Sequence, residues 1–216
     1  APIAGPGDPN FRNITSFYRH ADFVPPDGVV ADIAVISLAQ PVTAIRPTVL
    51  RGDVPQPGTV LVAAGYGGNG TGSDCCNPVD NKRRNMTIVP GGDPYLRAQF
   101  RNPENPGDPN SFNLIVGTSV FEGGTVGGDS GSPVFIETPN GLVQIGVLRG
   151  GRNPVNPERP GEYGDISDWT PLALLLGWVV ENNPLRQVTA AAGNFNWSNQ
   201  AAWIDRVHDP LGSTVP

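Results

Sequence analysis

The segment Gly127-Gly128-Asp129-Ser130-Gly131-Ser132-Pro133 sets a serine hydroxyl among glycines. A hydroxyl attacks a carbonyl effectively only from a sharp turn, with backbone N–H groups aimed where the negative oxygen forms. Glycines beside the serine let the chain make that turn and let a substrate come close. One such N–H donor contributes about 3–4 kcal/mol in the transition state. The same letters also suit a plain Gly/Ser turn ahead of a strand, and the chain has 28 glycines. Asp32 is a second candidate. It interrupts the apolar run Val29-Val30-Ala31-Asp32-Ile33-Ala34-Val35-Ile36-Ser37-Leu38. A carboxylate there is costly unless hydrogen-bonded, so it either caps the edge of the run or serves a site.

The elements that must position these residues are strands. Glycine (28) and proline (24) are spread through all 216 residues without a period, and apolar runs stand between them. Collagen and wholesale disorder are excluded; many short strands joined by Gly/Pro/Asn turns remain, an all-β sandwich or barrel. Val29–Leu38 reads as one fully buried strand. Gly58–Gly67 reads as a strand ending in glycines, followed by a long polar loop from Gly68 to about Asn85 that includes Lys82-Arg83-Arg84. Strand signals return at Met86–Val89, Tyr95–Phe100 and Phe112–Val116. Ser132–Ile136 and Leu142–Leu148 predict a hairpin across Thr138-Pro139-Asn140-Gly141, where Asn-Gly supplies the turn. Asp168 or Thr170 is the expected cap of a helix with Pro171 in its first turn, running to about Val180 and stopped by Asn182-Asn183-Pro184.

A net charge of -6 leaves no basic face for phosphates, so nucleic acid is not an expected partner. No apolar span approaches the roughly 20 residues that cross a membrane. The two cysteines, Cys75 and Cys76, are adjacent, which excludes a disulfide framework, and neither His20 nor His208 has metal-ligand spacing with them. No metal and no cofactor is expected.

From residue 14 to 181 the chain resembles the trypsin/chymotrypsin family of serine proteases at several points in the same order. Asp32-Ile33-Ala34-Val35-Ile36-Ser37-Leu38 is similar to the family's Asp-Ile-Ala-Leu-x-x-Leu strand, and Arg19-His20-Ala21-Asp22-Phe23 to the His-Pro-x-Tyr stretch before it. Ala64-Gly65-Tyr66-Gly67 resembles the Gly-Trp-Gly opening the second barrel; Pro160-Gly161-Glu162-Tyr163 resembles the Pro-Gly-Val-Tyr after the pocket; the helix ending near Trp178 resembles the C-terminal helix. The resemblance implies an all-β, two-barrel fold with a C-terminal helix, spanning 1–183, with the second barrel from about residue 58. It implies hydrolysis of protein or peptide substrates through an acyl-enzyme on Ser130, with the N–H groups of Gly128 and Ser130 as the oxyanion hole. Asp32 would orient the catalytic histidine, and Asp129 would be a structural acid shaping the turn.

Departures matter as much. The family's histidine lies in an Ala-Ala-His-like motif several dozen residues before the Asp, and nothing here matches it. His20 aligns with a non-catalytic histidine, and His208 lies in the trailing segment. The resemblance therefore implies a first barrel that is incomplete, a general base upstream of Ala1, and little activity for the polypeptide as it stands. Gly124 falls at the base of the specificity pocket, with Arg149 and Gly151 on its wall strand; this implies apolar or small residues before the scissile bond, or acidic ones through Arg149. The pocket cysteines are missing, Val126 standing in one such place. Gly-Ser-Pro after Ser130, together with the Gly-Tyr-Gly-Gly-Asn-Gly-Thr-Gly loop, is similar to bacterial secreted relatives, autotransporter proteases especially. Residues 184–216, with Gly193-Asn194-Phe195-Asn196-Trp197 and Trp203, read as a linker and the start of a β-repeat passenger module, or as core aromatics of an unrelated extension. The expected location is outside the cell, secreted or at a bacterial surface. A protease-like binding module that has lost catalysis and an adhesin-type passenger stand as alternatives.

Overall fold

A computed structural model describes residue 7 and residues 11–23, 31–42, 45–91, 96–101, 121–154 and 156–183, with the backbone alone at 74–76, 188–190 and 203–205. Its elements are β1 (Ile14–Arg19), β2 (Ala34–Leu38), β3 (Val49–Leu50), β4 (Leu61–Gly65), β5 (Asn69–Thr71), β6 (Asp74–Asn77), β7 (Arg84–Ile88), β8 (Arg97–Gln99), β9 (Pro133–Thr138), β10 (Gly141–Arg152), β11 (Ile166–Pro171), α1 (Leu172–Glu181), β12 (Val188–Ala190) and β13 (Trp203–Asp205). A seven-stranded sheet carries the order β7-β4-β9-β10-β11-β8, with β3 added parallel to β10. All its other pairings are antiparallel.

The inward residues of these strands close on one core: Leu61, Ala63, Ile88, Leu96, Ala98, Val134, Ile145, Leu148 and Trp169. Along β4 (Leu61, Ala63) and in β10 from Val143 to Ile145 every second side chain is buried, as the strand pleat requires, until the irregularity at Gln144–Gly146 breaks the period. A second cluster of Ile33, Leu172 and Leu175, flanked by Leu50, Val147 and Trp178, seats α1 and the residue just before β2 on the sheet.

The predicted hairpin is β9–β10. Its loop is Pro139-Asn140, because Gly141 already pairs with Thr138 and takes φ +110°, a conformation that favours glycine. Elsewhere the structure differs from expectation. Strand β2 begins only at Ala34, so Asp32 precedes it; its side chains are exposed or half-buried, since β1 is its sole strand partner among the described residues. The loop after Gly67 contains the hairpin β5–β6, and within Lys82-Arg83-Arg84 the last residue is held to Asp80 by two hydrogen bonds of 2.7 and 2.8 Å. Asp168 and Thr170 cap nothing. They lie in β11, and α1 starts after Pro171 with no side-chain cap at all. Asn182 closes the other end, its backbone and side-chain N–H groups both donating to the Trp178 carbonyl. Phe112–Val116 and His208 lie outside the described residues. In the trailing segment β12 pairs with β13 as a two-stranded sheet.

Candidate active site

The Ser130 turn is tied down on both sides. The Gly131 N–H donates to the Leu148 carbonyl at 2.9 Å, and the Leu148 N–H donates to the Ser132 carbonyl at 2.7 Å. Within the turn, the Asp129 N–H donates to the Val126 carbonyl and the Ser132 N–H to the Asp129 carbonyl. Gly128 and Gly131 hold φ +96° and +83°, a cost for any residue with a Cβ. Ser130 is left exposed at the apex. Among the described residues, the N–H groups of Gly128 and Ser130 donate to no protein group.

Asp129 points the opposite way, into the protein. One carboxylate oxygen accepts the Gly67 N–H at 2.7 Å and the other accepts the Val126 N–H at 3.1 Å. A Cβ on Gly65 or Gly67 would run into that carboxylate. This gives the Gly65-Tyr66-Gly67 pattern its physical cause: the glycines make room for the acid that shapes the serine turn. Behind the turn is a cavity of about 490 Å³, lined by Gly65, Gly67, Met86, Phe100, Gly124 and Asp129 among others.

Asp32 is half-buried, and its backbone carbonyl accepts the Thr170 hydroxyl at 3.1 Å, which fastens it to β11. Burial pushes its carboxyl above the ordinary value, and the Arg149 guanidinium pulls it partly back. Arg149 directly follows Leu148, the residue bonded to the Ser130 turn. The fold thus gathers Asp32 and the Ser130 turn around one stretch of β10. His20 has other contacts. Its ring packs on Trp178 at 4.9 Å between centroids, and its Nδ1 accepts the Asp22 N–H at 3.2 Å.

The expected pocket residues are only partly gathered. Gly124 packs against Phe100, where a Cβ would come within 3.1 Å of that ring, and it lines the cavity behind the turn. Gly151 lies on the Ile166 carbonyl. Neither Gly151 nor Arg149 lines the cavity. Arg149 instead turns to the carboxylate of Asp168 at 3.2 Å, joined there by Arg97 at 3.1 Å and Arg152 at 3.4 Å. Thr125 donates its N–H and its hydroxyl to the Ser167 hydroxyl at 3.0 and 2.8 Å, pinning the segment before the serine to β11. Sequence reasoning missed Thr125, Ser167 and the Asp168 cluster, because their partners lie on different strands. Pro160–Tyr163 forms a turn ahead of β11: the Asp165 carboxylate accepts the Gly161 and Glu162 N–H groups, and the Tyr163 ring packs tilted against Phe100 at 4.8 Å between centroids. Among the described residues no cluster of metal ligands occurs.

A curled antiparallel sheet, a C-terminal helix and a glycine-flanked serine with two free N–H groups define an all-β serine hydrolase scaffold. The model of the family Trypsin matches residues 5–172, most of the chain, and the chain belongs to that family of serine-protease-type hydrolases. No curated protein matches it.

Proposed function

We propose that the protein is a serine endopeptidase in which Ser130 is the nucleophile and Asp32 orients a general base other than His20. The observation that carries this reading is the Ser130 turn itself: an exposed hydroxyl beside two N–H groups with no internal partner, on a loop that Asp129 braces from behind. In this reading the base takes the Ser130 proton as its oxygen bonds the scissile carbonyl carbon. The developing oxyanion accepts the Gly128 and Ser130 N–H groups, and the amine then leaves with the proton. Half-buried Asp32, beside Arg149, stabilises the cationic base. Gly124 leaves the pocket base without a carboxylate, which favours an apolar or small residue before the scissile bond. The family fold supports a protein or peptide substrate, and the likeness of the glycine-rich loop to bacterial secreted relatives supports a location outside the cell.

The test is a fluorophosphonate probe applied to the product of the complete reading frame. Labelling at Ser130 that disappears in Ser130→Ala supports the endopeptidase; no labelling of a folded product overturns it. A peptide-library profile dominated by cleavage after Arg or Lys would sink the pocket assignment. One observation favours a second reading, a protease-like binding module: His20, the only histidine among the described residues, is engaged by Trp178 and Asp22. That module would bind peptides with Ser130 unlabelled.

A further inference from the structure

Strand β10 passes the serine turn at Leu148 and continues to Arg152. Over Arg149–Arg152 it pairs with β11 along one edge, and among the described residues no strand pairs with the other. In that register Gly150 lies opposite Asp168 and Gly151 opposite Ser167; on the far side of β11, Asp168 lies opposite Arg97 and Ser167 opposite Ala98. Paired residues share a face of the sheet and neighbours alternate, except at the bulge between Leu148 and Gly150, where Arg149 leaves the alternation. The Ser167 face turns to Thr125 and the serine loop. The Asp168 face is built differently.

There, three guanidiniums surround one buried carboxylate: Arg97, Arg149 and Arg152 on Asp168, which is only 3% exposed. Asp32 also lies beside Arg149, and Arg152 is the most exposed of the three guanidiniums and the least tightly held. Arg152 is half-exposed, and its contacts to Asp168 are long, 3.4 Å from both Nε and a terminal nitrogen. Five N–H donors on a rigid fork exceed what one shared carboxylate oxygen takes up. Beside it, among the described residues, a Cβ built on Gly150 would meet no atom within 4 Å, so the strand is bare at that position.

We propose that Arg152, with Arg149 and Arg97 behind it, forms a subsite for an acidic side chain of a peptide laid along the open edge of β10. The inference rests on the endopeptidase reading, which supplies the peptide and its place beside Ser130. A strand added to that edge sends alternate side chains to alternate faces. The acidic residue therefore neighbours the one that enters the Thr125–Ser167 side and does not occupy that position itself. Planar guanidinium forks match carboxylates in two-point geometry, so Asp and Glu are preferred over their amides.

The experiment is binding, which needs no turnover. Fluorescein-labelled Ala/Val hexapeptides, with one Glu walked along the sequence and each matched to its Gln counterpart, are titrated into the full chain by anisotropy. Glu is expected to bind about tenfold tighter than Gln at one position of the peptide and no tighter at the positions next to it. Arg152→Ala should erase most of that difference and Arg152→Glu should invert it, with melting temperatures showing that both variants fold. Equal binding of Glu and Gln, a preference uniform along the peptide, an unchanged preference in Arg152→Glu, or no binding at all would each overturn the subsite. The endopeptidase reading fails separately, through absent fluorophosphonate labelling of Ser130, whatever the peptides do.

Discussion

Ser130 owes its position to the residues that brace its turn, Asp129 foremost. Removing the Asp129 carboxylate strands the Gly67 and Val126 N–H groups inside the protein, each costing about 1–3 kcal/mol when left unsatisfied. Asp129→Ala is therefore expected to lose on the order of 2–4 kcal/mol of stability in urea titration, and to slow fluorophosphonate labelling more than the stability loss alone explains. Gly67→Ala attacks the same contact from the other side by overpacking, and should cost at least about 2 kcal/mol. Asp32 behaves oppositely. Its carboxyl is raised in the folded state, mainly by burial, so the folded protein keeps that proton to higher pH than the unfolded chain does. The group's contribution to stability is fully present below the unfolded value of about 3.8 and is lost as pH rises through the folded value. Asp32→Asn should thus raise the melting temperature at pH 7 by a few degrees and leave it nearly unchanged at pH 3. The same variant should lose labelling, which places the cost of Asp32 in function.

At the scale of elements, β10 and β11 carry the site between them. Strand β10 takes the serine turn at Leu148 and, through Arg149, the charge of Asp32; β11 supplies Ser167, Asp168 and Thr170 to three different partners. Thr170 is completely buried, and its hydroxyl joins Asp32 to the large sheet. Thr170→Val keeps the shape and removes that bond, so about 1 kcal/mol of stability should go. Labelling should fall with it if Asp32 shifts. The β9–β10 hairpin was legible from Pro139-Asn140-Gly141, because turn chemistry is local. The role of β11 was not legible. Ile166-Ser167-Asp168-Trp169-Thr170-Pro171 mixes polar and apolar residues, and the two acid or hydroxyl residues ahead of Pro171 look like helix caps. Their real partners are three arginines and a backbone carbonyl far away in sequence, so no periodicity announces them.

At the scale of the whole molecule, the described residues flanking β1 and β2 meet α1 and the large sheet through Ile33 in the cluster of Leu172 and Leu175, His20 on Trp178, Thr170 on the Asp32 carbonyl, and Asp32 beside Arg149. Leu175→Ala opens a void in that cluster, with a cost of about 2–5 kcal/mol. Amide exchange should then accelerate in β1 and β2 while β9 and the adjoining half of β10, packed around Val134 and Ile145, stay protected. Equal acceleration everywhere would show one undivided cooperative unit. On that small sheet Phe17 lies opposite Ile36, and both are exposed. The sequence by itself determined the strand-rich class, the β9–β10 hairpin, the span of α1 and the Ser130 turn. Each of these depends on residues close together in the chain: apolar runs between turn residues, turn glycines, a short apolar run that stops at Asn182-Asn183-Pro184. Only the tertiary structure decided what surrounds Ser130. It turned Asp129 inward against Gly65 and Gly67, withdrew Asp32 from the strand, engaged His20 with Trp178, and made Asp168 a buried hub for Arg97, Arg149 and Arg152. Those outcomes follow from burial and charge pairing between distant segments, and such pairing leaves no local trace in the order of residues.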